Sequence, residues 1–227
     1  MIKYQFQFGV VLAHIETLLA GAVTTIWMSV FAITSGFLIA VIFGLAARYG
    51  NVAFRSGVRI YVEVFRNTPF LVQLFFIYLA LPEFGIRLTP MQAGLLAMSI
   101  NAGAYLTEIV RAGLESVHRS QIEAGQSLGL TERQVFFDVI FKPAFTRVYP
   151  ALQSQFILIM LGSSIISAIS VPELTGSSGV LETMTARPFE IYIITGAIYF
   201  AIAVGLKSLL DLLVYKVWRI RPANSAR

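Results

Sequence analysis

A chain of 227 residues that is 57% hydrophobic and only 13% charged, with a mean hydropathy of +0.76, is not composed for water, because soluble domains carry about 25% charged residues. The absence of cysteine excludes disulfides and thiolate metal sites. The net charge of +5 does not mark a nucleic-acid surface, because the basic residues flank apolar runs instead of forming a patch.

Five uncharged runs follow one another. Residues 17–47 give 31 positions without a charge, 67–82 give 16, 88–107 give 20, 148–172 give 25 and 191–206 give 16. A hydrocarbon core of about 30 Å takes about 20 helical residues. Three runs reach that length directly. The second and fifth reach it with their flanks, 59–66 and 208–217, whose charged ends snorkel to the headgroups. The expectation is an all-α, polytopic membrane bundle of about five transmembrane helices forming one domain over 1–227. Its spans are expected near 17–47, 60–82, 88–110, 145–172 and 189–217. The first run is too long for the apolar region of a secretory signal.

Lys and Arg set the orientation. Segments 48–66, 111–147 and 207–227 hold 4, 5 and 5 basic residues, whereas the opposite side has only Lys3, Arg87 and Arg187. The positive-inside rule puts the first group in the cytoplasm, with the N-terminus outside and the C-terminus inside.

Small residues recur at four-residue spacing in span one (Gly36, Ala40, Gly44) and span five (Ala197, Ala201, Gly205). Such stripes let helices approach closely in lipid, and Gly and Ala are also simply common there. Two outer connections, 81–90 with two prolines and 173–188 with Gly176 and Gly179, read as turns or a gate.

The cytoplasmic stretch 108–147 is too long and too patterned for a simple connection. Ser120 and Glu123 read as a capping box opening a short helix, and Gly129 fits its end with a positive φ. Thr131 and Gln134 read as a second capping box, opening a helix to about Phe141. Pro143 then stands near the start of span four, where a missing N–H is tolerated. Two short helices are thus expected to meet at Gly129. The second carries Val135, Phe136, Phe137, Val139, Ile140 and Phe141. Its aromatic residues suit a partner protein or the lipid interface equally.

The run Glu123-Ala124-Gly125-Gln126-Ser127-Leu128-Gly129 resembles the cytoplasmic "EAA…G" loop of binding-protein-dependent ABC importers. Gly125 stands for the second Ala, and Pro143 falls one place late, with Lys142 where the family often has Pro. Further matches run from Glu63 through Arg66, Thr68, Pro69 and Gln73 at span two, and from Asn101 through Tyr105 and Glu108 to Arg111 at span three. A fourth, Val171 to Thr175, follows span four. Together they resemble permease subunits of the polar amino acid group over nearly the whole chain.

The resemblance implies a bacterial inner-membrane permease, not an enzyme. It also implies that the loop 118–143, through Glu123, Ala124, Gly125, Leu128 and Gly129, couples to a separate ATPase. Glu63, Arg66, Thr68 and Pro69 are its structural motif. The chain lacks a G-x-x-x-x-G-K-S/T phosphate loop, so ATP and Mg belong on the partner and no cofactor is expected here. An extracytoplasmic solute-binding protein and a second permease subunit, identical or homologous, are the other implied partners. Five spans are too few to enclose a gated path alone.

Polar residues inside spans are suspects for the substrate path by default. They are Gln73 in span two, Asn101, Tyr105 and Glu108 in span three, and Gln155, Ser163, Ser164 and Ser167 in span four. Asn101, Tyr105 and Glu108 share one helix face at i, i+4 and i+7. Helix–helix hydrogen bonding is the alternative for Gln155 and the serines. Glu108 has Arg111 and Arg66 as possible partners, and Glu63 and Arg66 stand at pairing distance along a helix.

Relatives often carry Lys-Asp-Thr-Ser where this chain has Leu161-Gly162-Ser163-Ser164, so the acidic grip for a cationic cargo is missing there. Competing readings are a secondary transporter, a scaffold half whose partner holds the substrate, and an intramembrane hydrolase. The last would need a base within the spans, and the only histidines, His14 and His118, lie at or beyond membrane edges. A secondary transporter would need ionisable coupling residues deep in a span, and none is expected.

Overall fold

The computed structural model describes residues 4–218, and every regular element among them is helical. In chain order these are α1 (Phe8–Leu12), α2 (Ile15–Tyr49), α3 (Val52–Arg66), α4 (Phe70–Phe84), α5 (Pro90–Glu115), α6 (Arg119–Ser127), α7 (Glu132–Ile169), α8 (Leu174–Thr185) and α9 (Pro188–Trp218). Of these, α2, α5, α7 and α9 are long and apolar enough to cross a membrane, and α3 with α4 makes a fifth if the broken pair counts as one span. Lys3, Arg219, Arg221 and Arg227, counted in the charge asymmetry, lie outside the described residues.

Residues 60–82, expected as one span, are divided. α3 stops at Arg66 and α4 starts at Phe70. Pro69 supplies no N–H and pushes Thr68 out of the helical region. The freed carbonyls are taken up locally, with Asn67 Nδ2 on the Glu63 carbonyl at 2.8 Å and Thr68 Oγ1 on that of Val64 at 2.8 Å.

The second short helix expected within 108–147 is also not separate. It is the first part of α7, a single 38-residue run. Val135–Phe141 forms a π-helical stretch, whose wider turn lets the run continue into Pro143 instead of breaking there, and Pro150 lies inside the α-helical part that follows. Gly176 and Gly179, read as turn or gate residues, lie inside α8.

The chain folds as two units, one built from residues up to 32, 70–98 and 157–209, the other from 33–69, 99–156 and 210 onward. In the first, Val11, Leu18, Ala22, Leu174, Leu181 and Ile191 form the core. Two fully buried carboxylates, Glu173 and Glu190, stand beside it. Glu173 caps α8 by accepting from the Gly176 N–H at 2.7 Å, and also accepts from Thr25 at 3.2 Å and Tyr199 at 2.7 Å. Glu190 accepts from the Gln7 N–H at 2.8 Å and from Tyr4. That last bond holds the Tyr4 phenol above its ordinary pKa.

In the second unit the core is Leu114, Val117, Val135, Ile140 and Ala144. Here the small residues of span one meet α5. A Cβ on Gly36 would lie 2.7 Å from that of Ala102, and one on Gly44 would lie 2.7 Å from Val110. Ala40 between them is fully buried. The stripe in span five behaves differently: Ala197 and Ala201 are exposed, and nothing among the described residues comes within 4 Å of a Cβ on Gly205.

Candidate functional site

Two neighbourhoods of the second unit gather most of the singled-out residues. The first is the short helix α6 with its two ends. Its start differs from the expected capping box. His118 is the N-cap, its Nδ1 accepting from the Ser120 N–H at 3.3 Å and meeting Ser120 Oγ at 2.8 Å. Glu123 pairs instead with Arg119 at 3.0 Å. The helix starts two residues earlier than expected, which brings Arg119 into it, four places before Glu123 and within helical pairing distance.

The other end follows the expectation. Gly129 has φ +78°. Its N–H reaches the Gln126 carbonyl at 3.0 Å, and the Leu130 N–H reaches that of Gly125 at 3.2 Å. These two bonds form a Schellman motif, which satisfies the last carbonyls and needs a left-handed residue at its centre. One residue on, Thr131 and Gln134 make a reciprocal capping box.

Gly125 is buried and decides how α6 rests on α7: a Cβ there would lie 3.3 Å from Val139 and 3.5 Å from Val135. Glu123 and Ala124 point the other way, and Leu128 is 81% exposed. A leucine so exposed, outside the long apolar helices and on a helix fixed at both ends, is a ready docking surface. On α7, Val135 and Ile140 are buried, while Phe136, Phe137, Phe141 and Phe145 form a run of ring contacts with centroids 5.2–6.3 Å apart.

The second neighbourhood lies between α3 and α5. A cavity of about 460 Å³ is lined by Arg55, Arg59, Glu63, Arg66, Glu108, Arg111 and Glu115, with Val58, Val62 and Thr107 among its apolar and neutral walls. Glu108 binds Arg111 through both carboxylate oxygens, one contact at 3.0 Å, and Arg111 reaches Glu115 at 2.6 Å. Arg66 stands 4.0 Å from Glu108 and 5.6 Å from the Tyr105 ring centroid. Glu63 does not pair with Arg66; Arg59 takes it at 2.9 Å. Tyr105 and Glu108 thus come together as their spacing implied, with Asn101 half-buried on the same helix. Partly solvated pairs of this kind contribute about 0–1 kcal/mol each, so the cluster positions charge more than it stabilises.

The remaining suspects are elsewhere. Gln73 is buried on α4, and Ser163, Ser164 and Ser167 lie in the 3₁₀ end of α7. Their hydroxyls turn back on that helix: Ser163 on Met160 at 2.7 Å, Ser164 on Leu161 at 2.8 Å and Ser167 on Ser164 at 2.6 Å. Gln155 is half-buried on α7.

Sequence reasoning missed several groups. Asp211, an acid within the apolar helix α9, accepts from Tyr149 and Gln153, each at 2.7 Å. Its sequence signal is a carboxylate inside an otherwise apolar run. Glu173 and Glu190 were not expected to be buried. Arg48 and Arg147 donate to the Leu114 and Ser116 carbonyls, and nothing in the local sequence pairs them.

With this geometry in place, comparison with known proteins gives a consistent set. Residues 32–219 match the family described as binding-protein-dependent transport system inner membrane component. The chain is 33% identical over 208 residues to the glutamine transport system permease protein GlnP of Escherichia coli (strain K12), covering 91% of this chain and 95% of that protein. It is 34% identical over 197 residues to the probable glutamine ABC transporter permease protein GlnP of Bacillus subtilis (strain 168), covering 85% and 90%. Among solved structures it superposes on the crystal structure of an amino acid ABC transporter with histidines with a TM-score of 0.85 at 33% identity. That match covers 94% of this chain and 100% of the other.

Proposed function

We propose, because the chain belongs to the binding-protein-dependent transport system inner membrane component family, that it is the permease subunit of an ATP-driven importer that moves polar amino acids by alternating access. The names of the two relatives favour glutamine or a similar uncharged cargo. The missing charges at Leu161 and Gly162 point the same way. Transport runs into the cytoplasm across a bacterial inner membrane, with the N-terminus outside and the C-terminus inside.

The observation that carries this reading is α6. It is a short helix closed by a His118 cap and a Schellman end, seated through Gly125 and presenting Glu123, Ala124 and Leu128 outward. A separate ATPase, carrying ATP and Mg, docks there and moves it. A second permease chain completes the path, and a solute-binding protein delivers the cargo on the outer side. Within this chain, Tyr105 and Glu108, with Arg66 and Arg111 around them, form the polar wall of the path's cytoplasmic part, because Glu108, Arg66 and Arg111 line a cavity of about 460 Å³, large enough for an amino acid, and Tyr105 lines a second one that shares Arg66. Gln73, Asn101 and the serines of α7 are its other contributors.

Proteoliposomes holding the chain, its ATPase and its binding protein should take up labelled glutamine only with ATP on the ATPase side. The purified chain alone should neither hydrolyse ATP nor accumulate substrate. Uptake driven by an ion gradient in the absence of the ATPase would overturn the proposal in favour of a secondary transporter.

A further inference from the structure

The connector between α5 and α6 is only three residues, Ser116, Val117 and His118. Any movement of α6 reaches the membrane through it. Two arginines from two other helices hold its root. Arg48, at the end of α2, donates to the Leu114 carbonyl; Arg147, on α7, donates to the Ser116 carbonyl. The Leu114 carbonyl is in the last turn of α5 and that of Ser116 one residue past its end, where carbonyls lack partners within the helix and the dipole favours cations. The guanidinium fork suits such a place, since it stays charged and offers several donors.

Packing around the two contacts is correspondingly close. Gly44 sits against Val110 one turn before Arg48, and Gly113 sits against Val148, the residue after Arg147. Val117 of the connector is buried in the same cluster as Leu114, Val135, Ile140 and Ala144, with Leu45 packed against it. Ser116 closes the remaining bond, its Oγ on the Gly113 carbonyl at 2.7 Å. The root of α6 is therefore fixed to α2, α5 and α7 at once.

We propose that Arg48 and Arg147 are positioning residues of the coupling step. They clamp the α5–α6 connector so that a displacement of α6 is delivered to three membrane helices together, not to α5 alone. This rests on the importer reading above. Without the clamp, the connector swivels: α6 still meets the ATPase, but its motion is lost before it reaches the other helices. Lysine at either position keeps the charge and reaches a carbonyl, although without the fork, so it restores part of the function.

The test uses the reconstituted complex with Arg48→Gln, Arg147→Gln, their double variant and the corresponding lysine variants. The readout is substrate taken up per ATP hydrolysed. The double glutamine variant should lose about fivefold or more in that ratio while the ATPase still co-purifies with it, and the lysine variants should recover at least half. An unchanged ratio in the double variant overturns the proposal. So does a lysine variant as defective as glutamine with the ATPase lost from the complex, which marks a merely structural role. A second arm reads the clamp in the full chain without transport. Spin labels at Tyr49→Cys and Gln121→Cys should give a narrow distance distribution that broadens at least twofold in the double glutamine variant. Failure of ATP-driven uptake by the unsubstituted complex defeats the importer reading alone, and the spin-label arm still decides the clamp.

Discussion

Two acidic sites, one in each unit, are built in opposite ways. In the first, Glu173 is fully buried and receives only neutral donors: a backbone N–H, a threonine and a tyrosine. In the second, Glu63, Glu108 and Glu115 face arginines and remain partly solvated. A buried carboxyl group with three donors has one workable arrangement, because any lost donor leaves a polar atom unsatisfied in a low dielectric. Half-exposed ion pairs exchange partners with one another and with water at little cost. The first arrangement suits a fixed scaffold and the second a surface that rearranges during a cycle.

The sharpest way to break the contrast is to remove the buried acceptor. Glu173→Leu removes the acceptor of the Gly176 N–H and of the Thr25 and Tyr199 hydroxyls, which keep the Leu174 N–H and the Thr175 hydroxyl respectively, and should destabilise the chain by about 3 kcal/mol or more. Thermal unfolding in detergent measures this, and Glu173→Gln, which keeps an acceptor oxygen, should lose clearly less. Equal losses would mean that the site reads shape, not hydrogen bonding.

Gly36→Val comes next. Its side chain would be driven into Ala102, and overpacking of this kind costs about 1–3 kcal/mol. Gly205→Val, in the other stripe, meets nothing among the described residues and should leave the isolated chain's melting temperature unchanged. Gly129→Val is smaller again, about 1–2 kcal/mol from a β-branched residue at positive φ. It should reduce uptake and ATPase stimulation while expression and membrane insertion stay normal; wild-type coupling would remove α6 from the mechanism. At the bottom of the scale, Glu108→Gln should shift the melting temperature negligibly, since its pairs are worth about 0–1 kcal/mol, yet alter the Michaelis constant for uptake. A variant that melts early with unchanged uptake would reverse the assignment of the two chemistries.

What was legible in the sequence was local. Gly129, Thr131 and Gln134 lie within five residues of one another, so their turn chemistry could be read directly. Ser120 and Glu123 were misread at the same range because His118 competes for the cap and Arg119 for the carboxylate. Run lengths located the long helices, but length says nothing about Pro69, which divides one run, or about Pro143 and Pro150, which α7 carries without breaking. The Glu173 site was out of reach, since Thr25 is 148 positions away and Tyr199 26. The Arg48 contact spans 66 positions and that of Arg147 spans 31, and no period or motif connects residues so far apart.

Helix α2 has a consequence for the bilayer itself. Its uncharged stretch, residues 17–47, is about 46 Å long at 1.5 Å per residue, against a hydrocarbon thickness of about 30 Å. The surplus of about 16 Å must be taken up by tilting the helix or by locally thickening the membrane around it. Because the far end of this helix carries Arg48, a change of tilt displaces the arginine that holds the Leu114 carbonyl. Acyl-chain length thereby becomes a mechanical input to this protein: lipids of different length set the angle of its first span.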